Sequence, residues 1–519
     1  MRVRAAVVGV AATGMALGVG EIVGVALADA SLVAAVGDVA VDLAPGWMVR
    51  RTIGLLGTAQ KPALLTGIVC VSLILGGWVG SRRGSGRFAF GLAGLVGAFA
   101  ALRSGFGPGG AVAAAAAAGI GIWTLEIVQR KDGRTEVTDP VVDAPPSEVP
   151  RFEDPKVRAA TRRGFLGYAG GLTVAGGALV LGSRALADRT SATYRDVVLP
   201  SVRRTDGDRP TPTATTEGPW RPPDGLSPWI TPNDDFYRID TALVVPRVDP
   251  ADWTMRIDGM VDRPLSLTLD DLLSRDLVDA AVTLNCVSNE VGGHLVGNAV
   301  WTGVPLTALL DEAGVHGAAE QVMGRSVDGF SAGFPRSALS DGRTALVAVG
   351  MNGEPLPFSH GFPARLVIAG LYGYVSAVKW LERIELTTMS VDGYWIPRGW
   401  AKEAPIKIAS RIDVPLGSTT VPGRQAVAGV AWAPVAGVEA VELVVDDGLW
   451  VGCRLERGAG PGRDGEAWVQ WSTVWDAEPG VRNLRVRAWD TDGVVQPVGP
   501  KYIAPDGTEG YHVRRVLVA

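Results

Sequence analysis

The chain has 519 residues and a mass of 54.2 kDa, room for three domains of ~150 residues each. Hydrophobic residues make up 47%, mean hydropathy is +0.20 and net charge is −5, so the chain lacks the basic excess of a nucleic-acid binder. Three cysteines, Cys70, Cys286 and Cys453, are too few and too odd in number for a disulfide framework.

The apolar excess lies almost entirely before residue 187. Five stretches, at about 5–28, 62–80, 88–102, 110–128 and 164–182, approach the ~20 residues that cross a bilayer core. They are rich in Gly and Ala, which lets helices approach closely in lipid. With five spans, the clusters Arg2/Arg4, Arg82/Arg83/Arg87, Arg130/Lys131/Arg134 and Arg162/Arg163 fall on one side. The positive-inside rule then puts the N-terminus in the cytoplasm and everything after residue 187 outside the cytoplasmic membrane. The segment 29–61, apolar with interspersed acids, reads as interfacial. Glu21, inside the first span, is either functional or a carboxylate near a helix end that faces other helices.

Residues 138–158 are Pro-rich and charged, a flexible linker. TRRGFLG at 161–167, followed by a modest apolar run, resembles an internal twin-arginine export signal; an ordinary basic flank is the simpler alternative. A Pro/Thr-rich spacer covers 188–225. From 226 to 405 short apolar runs alternate with Asp-Gly, Asn-Gly and Pro turns, a mixed α+β pattern. WTMRIDGMVDRPLSLTL predicts paired strands, and SLTLDDLL and PLTALLDEAG predict short helices. From 406 to 519 regularly spaced strands rich in aromatic residues predict an immunoglobulin-like β-sandwich.

Cys286, in TLNCVSNEVGG, is the cysteine that asks for an explanation. A buried hydrophobe, a nucleophile with His360 as base, and a metal ligand are the three readings. The chain has four histidines and no CxxC or HxxxH spacing, which argues against structural zinc. A metal supplied mostly by a non-protein ligand set needs only one thiolate, as molybdenum held by a pterin dithiolene does.

Three stretches carry a resemblance. TPNDDFYRIDTALVVPRVDPADWTMRIDGMVDRPLSLTLDDLL (231–273) is similar to the opening of the molybdenum domain of the sulfite oxidase family. VTLNCVSN (282–289) resembles its Cys-x-x-Asn motif. MNGEPLPFSHGFPARLVIAGLYGYVSAVKWLERIEL (351–386) resembles its most specific segment. With the C-terminal sandwich the likeness covers 226–519 and suggests a membrane-anchored bacterial type.

The resemblance implies that Cys286 ligates molybdenum. It implies that Arg365 and Lys379 hold the pterin phosphate, together with Ser376, Ala377 and Val378, and that His360 contacts the cofactor. Asn233, Tyr237 and Arg238 would line the pocket, Ser326 would also touch the cofactor, and Trp400 would stand at the family's active-site tyrosine. Arg365 and Lys379 sit inside apolar runs, where an unpaired charge is costly. The family's Asn-Arg-Arg is absent: Glu290 and Val291 follow Asn289. Its active-site arginine falls at Ile239, one place from Arg238. Fewer arginines favour a neutral sulfoxide or N-oxide over a sulfite-like anion.

The implied function is oxygen-atom transfer by a molybdenum-molybdopterin enzyme on a small-molecule substrate. The spans hold no histidine and the chain no CxxCH, so no haem is expected in this chain. Electrons would pass to another protein or a membrane-diffusible quinone, and the sandwich implies a possible homodimer. The alternative is a catalytically inactive membrane protein whose outer domains bind a partner.

Overall fold

A computed structural model describes residues 2–28, 31–45, 60–82, 86–103, 107–133, 197–200 and 221–519, together with 48, 51–52, 55, 179 and 202. The expected fifth span at 164–182, the twin-arginine-like motif, the 138–158 linker and most of the 188–225 spacer lie outside them. The chain divides into two compact units, one within 1–192 joined by 242–247, the other 193–241 with 248–519.

The first unit contains helices α1 (Arg2–Ala28), α2 (Leu32–Leu43), α3 (Gln60–Gly80), α4 (Gly86–Arg103) and α5 (Gly107–Gly133). All but α2 are long and apolar enough to cross a membrane. Small residues set the packing of α1 against α3. A Cβ on Gly9 would lie 2.0 Å from the Gly76 carbonyl oxygen, so the backbones touch there. Leu92, Leu95 and Phe99 of α4 and Ile74 and Trp78 of α3 remain exposed, as lipid-facing residues do. Within the segment read as interfacial, Leu32–Leu43 forms α2, capped by Ser31. Glu21 accepts hydrogen bonds from Ser31 Oγ (3.1 Å) and Val33 N (2.9 Å), so its carboxylate serves the start of α2.

The second unit is mostly strand. One sheet runs β2-β1-β10-β5-β6: β1 (Thr254–Gly259), β2 (Leu265–Thr268), β5 (Gln321–Ser326), β6 (Ser331–Pro335) and β10 (Leu381–Thr387). Its β1/β10 pair is parallel and the others are antiparallel. A second sheet runs β3-β4-β7-β8, with β9 also on β7. Its strands are β3 (Val278–Asn285), β4 (Val296–Pro305), β7 (Ala345–Met351), β8 (Glu354–Pro355) and β9 (Arg365–Ile368).

The strands expected from WTMRIDGMVDRPLSLTL are β1 and β2, and SLT belongs to β2 rather than to a helix. The helix after it, Leu269–Leu273, begins at a capping box between Thr268 and Asp271. The helix Leu306–Ala313 stops at Gly314, φ +70°. One core, with Trp301, Phe334, Met255 and Ile257 fully buried, joins both sheets.

The C-terminal part consists of two facing sheets. One runs β11-β13-β17-β16: β11 (Ala409–Val414), β13 (Gly423–Trp432), β16 (Arg454–Glu456) and β17 (Val469–Ala477). The other runs β12-β19-β18-β14-β15: β12 (Thr419–Thr420), β14 (Val438–Val445), β15 (Val451–Gly452), β18 (Gly480–Asp490) and β19 (His512–Val518). Val427 and Trp471 of the first sheet meet Val441, Leu484 and Val516 of the second in a dry core.

Candidate active site

Strand β3 is buried from Ala280 onward and delivers Cys286 at its end, 9% exposed. A tight loop follows. Leu295 O accepts from the Cys286 amide (2.9 Å), and Asn289 N donates back to Cys286 O (2.9 Å). Asn289 Oδ1 accepts from Leu295 N at 2.8 Å, so the Asn of Cys-x-x-Asn closes the loop rather than reaching outward. Burial pushes the thiol pKa up, opposed by Ser288 hydrogen bonds and the charge of Lys379. Among the described residues no three His, Cys, Asp or Glu cluster as metal ligands, so a metal at Cys286 needs ligands from another source.

Arg365 opens β9 and is 3% exposed. Its guanidinium donates to the carbonyls of His360 (3.1 Å) and Leu366 (3.4 Å) and lies 4.8 Å over the Trp301 ring. Its described polar partners are thus neutral carbonyls, and burial lowers its pKa to about 10. Lys379 is also buried, with Nζ donating to Asp240 Oδ2 (3.0 Å) and Ser359 O (3.1 Å). Burial pulls Lys379 down to about 8 against the pull of Asp240. Arg238, 38% exposed, donates to the same Asp240 oxygen at 2.8 Å.

His360 donates Nε2–H to Asn233 O at 3.0 Å. Burial and the nearby cations hold it at about 4, so the imidazole is neutral and Nδ1 is left as an acceptor. Tyr237 stacks on Phe236 with centroids 5.2 Å apart. Burial raises its phenol, which also feels Cys286 and Arg365.

These residues therefore form one electrostatic neighbourhood. Lys379 and Arg238 both bond the Asp240 carboxylate, Arg365 bonds carbonyls, and burial raises the pKa of Asp328, so three cations stand near two carboxyl groups. The surplus positive charge fits an anion such as a phosphate ester beside a thiol.

Other expected residues have different surroundings. The Asn233 side chain turns to Asn352, accepting from Nδ2 at 2.8 Å, so it anchors its own loop. Ser326 accepts from the Asp328 amide at 3.4 Å and supports that carboxyl. The Ser376 hydroxyl donates to the carbonyls of Tyr372 (3.1 Å) and Leu371 (3.3 Å), and the Ala377 amide to Gly373 O, which leaves neither donor for a phosphate. Val378 O accepts from Leu366 N at 2.9 Å, tying this turn to Arg365's strand. Trp400 packs on Tyr374 (5.6 Å) and Trp395 (6.3 Å) in an aromatic cluster. An open depression of about 670 Å³ lined by Thr307, Asp311, Glu320 and Arg336 lies elsewhere and holds none of these residues.

Asp240 and Asn352 are the residues that sequence reasoning overlooked. Asn352 adopts φ +54° before Gly353 in the β7–β8 hairpin and bonds Thr231, Asn233 and Val300. The Asn-Gly pair was the available signal; Asp240 offered only its place two residues after Arg238.

The low Lys379 pKa gives a pH expectation. In cofactor-free protein the burial penalty is fully present below about pH 8 and is relieved as pH rises towards 10.5, so the fold should gain stability with pH across that window. Anion binding has the opposite sign. Inorganic phosphate should bind more weakly as pH rises through about 8, measured by calorimetry on the cofactor-free chain.

Residues 242–395 match the family described as "Oxidoreductase molybdopterin binding domain". The match includes Cys286, His360, Arg365 and Lys379. The inducible nitrate reductase [NADH] 2 of Glycine max is 29% identical over 322 residues, 49% of this chain and 35% of that protein. Sulfite oxidase of Gallus gallus is 28% identical over 318 residues, 52% of this chain and 68% of that protein. The sulfane dehydrogenase SoxCD structure from Paracoccus pantotrophus aligns with a TM-score of 0.48 at 23% identity, over 57% of this chain and 84% of that one. The chain spans about a third of the length of the plant nitrate reductases it matches. Residues 242–395 are thus matched as a molybdopterin-binding oxidoreductase domain, and sulfite oxidases are among the proteins this chain is similar to.

Proposed function

We propose that this chain is a membrane-anchored oxidoreductase that carries molybdenum on molybdopterin and moves an oxygen atom to or from a small substrate outside the cytoplasmic membrane. The observation that carries this reading is the pairing of Cys286 with buried, charge-excess Arg365 and Lys379. Bound there, the cofactor supplies two-electron oxygen-atom exchange.

Cys286 would give the protein's ligand to the metal. Arg365 offers a planar fork and Lys379 a point charge to the phosphate. Neutral His360 would contact the cofactor with Nδ1 open to a donor, while Tyr237 and Arg238 would border the pocket. The Ser376–Val378 turn shapes the phosphate end through its backbone, and Ser326 acts through Asp328. Trp400 walls the substrate side.

The substrate is read as neutral, a sulfoxide or an N-oxide. Arg238 is paired with Asp240, Arg365 is assigned to phosphate, and Arg398 lies over Tyr394 at 3.6 Å. An oxyanion such as sulfite, the substrate in the relatives' name, meets few uncommitted cations.

The four candidate spans support membrane attachment, and a fifth span at 164–182 would put the catalytic part outside. TRRGFLG is read as its export signal. The C-terminal sheets are read as an immunoglobulin-like sandwich able to pair two chains. Oxidising equivalents pass to or from a separate protein or a quinone.

The test is turnover of metal-loaded protein with reduced viologen as donor. Viologen should be oxidised on adding a sulfoxide or N-oxide, two electrons per oxygen removed as water. Loaded protein inert toward these, toward nitrate, and as a sulfite oxidase would overturn the reading.

A further inference from the structure

The loop after Cys286 is held from outside by the C-terminal part, through strand β11 and the β18–β19 connection. Thr508 Oγ1 donates to Asn289 O at 2.8 Å. Arg411 of β11 donates from Nη1 to Gly293 O at 2.9 Å. That guanidinium is itself fixed, bonding Asp413 Oδ1 at 2.7 Å and Ser227 Oγ at 2.8 Å, and the residue is 5% exposed. Between the two bonds, Gly292 (φ +76°) lies against His512 of β19; a Cβ there would be 2.4 Å from the ring. His512 is locked in turn, its Nδ1 accepting from Ile412 N at 2.9 Å.

We propose that Thr508 and Arg411 are positioning residues for Cys286, so that the C-terminal part fixes the thiol where a metal can use it. The loop's own bonds run among Cys286, Asn289 and Leu295 and from Gly293 to Glu290, and the β3–β4 pair holds its ends at Asn285 and Val296. Its outward carbonyls, Asn289 O and Gly293 O, are bonded by the C-terminal part. A loop released there would stay closed at its ends, but the segment after Cys286 would be free to move and uncover the thiol. The proposal rests on Cys286 being the metal's ligand, yet its first readout needs no metal.

The test uses the full-length chain purified without cofactor. Labelling of Cys286 by N-ethylmaleimide is timed by mass spectrometry of its peptide, with Cys453 as internal control. Thr508→Val, which keeps the shape and removes the donor, should speed Cys286 labelling about three- to tenfold, the opening expected from one lost hydrogen bond. Cys453 should keep its rate, and Thr508→Ser should restore the original Cys286 rate. Faster labelling of both cysteines would mean general loosening and would overturn a positioning role.

Gly292→Ala, which pushes the loop off His512, is the second variant should Thr508→Val not fold, and should speed Cys286 in the same way. Unchanged Cys286 labelling in a folded variant refutes the clamp. In loaded protein, the thiolate-to-metal absorption band should shift in Thr508→Val and return in Thr508→Ser. If the wild-type chain takes up no molybdenum, the proposed function fails while the labelling comparison still stands or falls by itself.

Discussion

Cys286→Ser should lose at least ~100-fold in turnover while keeping the fold. Losses in residues that merely support a metal ligand cost 10–100-fold, so removal of the ligand itself sets a higher floor. The substitution is nearly isosteric, and the bonds that close the loop at this position are backbone bonds to Leu295 and Asn289, with Ser288 bonding the side chain. A hydroxyl is a harder, weaker donor than a thiolate toward a thiol-seeking metal. Steady-state assay beside thermal unfolding checks both halves. Retained turnover would return Cys286 to the role of a buried hydrophobe.

Arg365→Met should reduce cofactor retention by ~10–100-fold without weakening the cofactor-free fold. A charge-assisted hydrogen bond contributes ~1.5–3 kcal/mol, and the guanidinium fork can make two. In the cofactor-free chain the sign reverses. Arg365 is buried against carbonyls and an indole, and burial already depresses its pKa to about 10. An apolar side chain of similar length removes that desolvation cost, so the melting temperature should hold or rise. Arg365→Lys keeps the charge but loses the planar fork, and should restore retention only in part. Pterin content per chain, measured after gel filtration, distinguishes the three proteins. A melting temperature that collapses in Arg365→Met would make the residue structural.

The sequence disclosed what depends on composition and local runs. The four described long helices lie where their apolar stretches predict, because lipid demands uninterrupted apolar length. Strands β1 and β2 follow alternating residues and a turn, and Cys286, Arg365 and Lys379 stand out as a thiol and two charges in apolar surroundings.

Long-range pairings stayed hidden. Asp240 meets Lys379 across 139 residues, and nothing local to either marks the partner. Thr508 reaches Asn289 across 219 residues, so the hold on the Cys286 loop appears only in three dimensions. Ser376 illustrates the converse: a hydroxyl in a suggestive segment turns back to the carbonyls of Leu371 and Tyr372.

The central claim is that Cys286 and the Arg365–Lys379 pair hold molybdenum on its pterin. It is tested most directly by molybdenum per chain in detergent-purified protein from a host that makes and inserts the cofactor. The expected result is close to one molybdenum per wild-type chain, with a marked fall in Arg365→Met and an altered metal spectrum in Cys286→Ser. Wild-type chain free of molybdenum from that host would contradict the account.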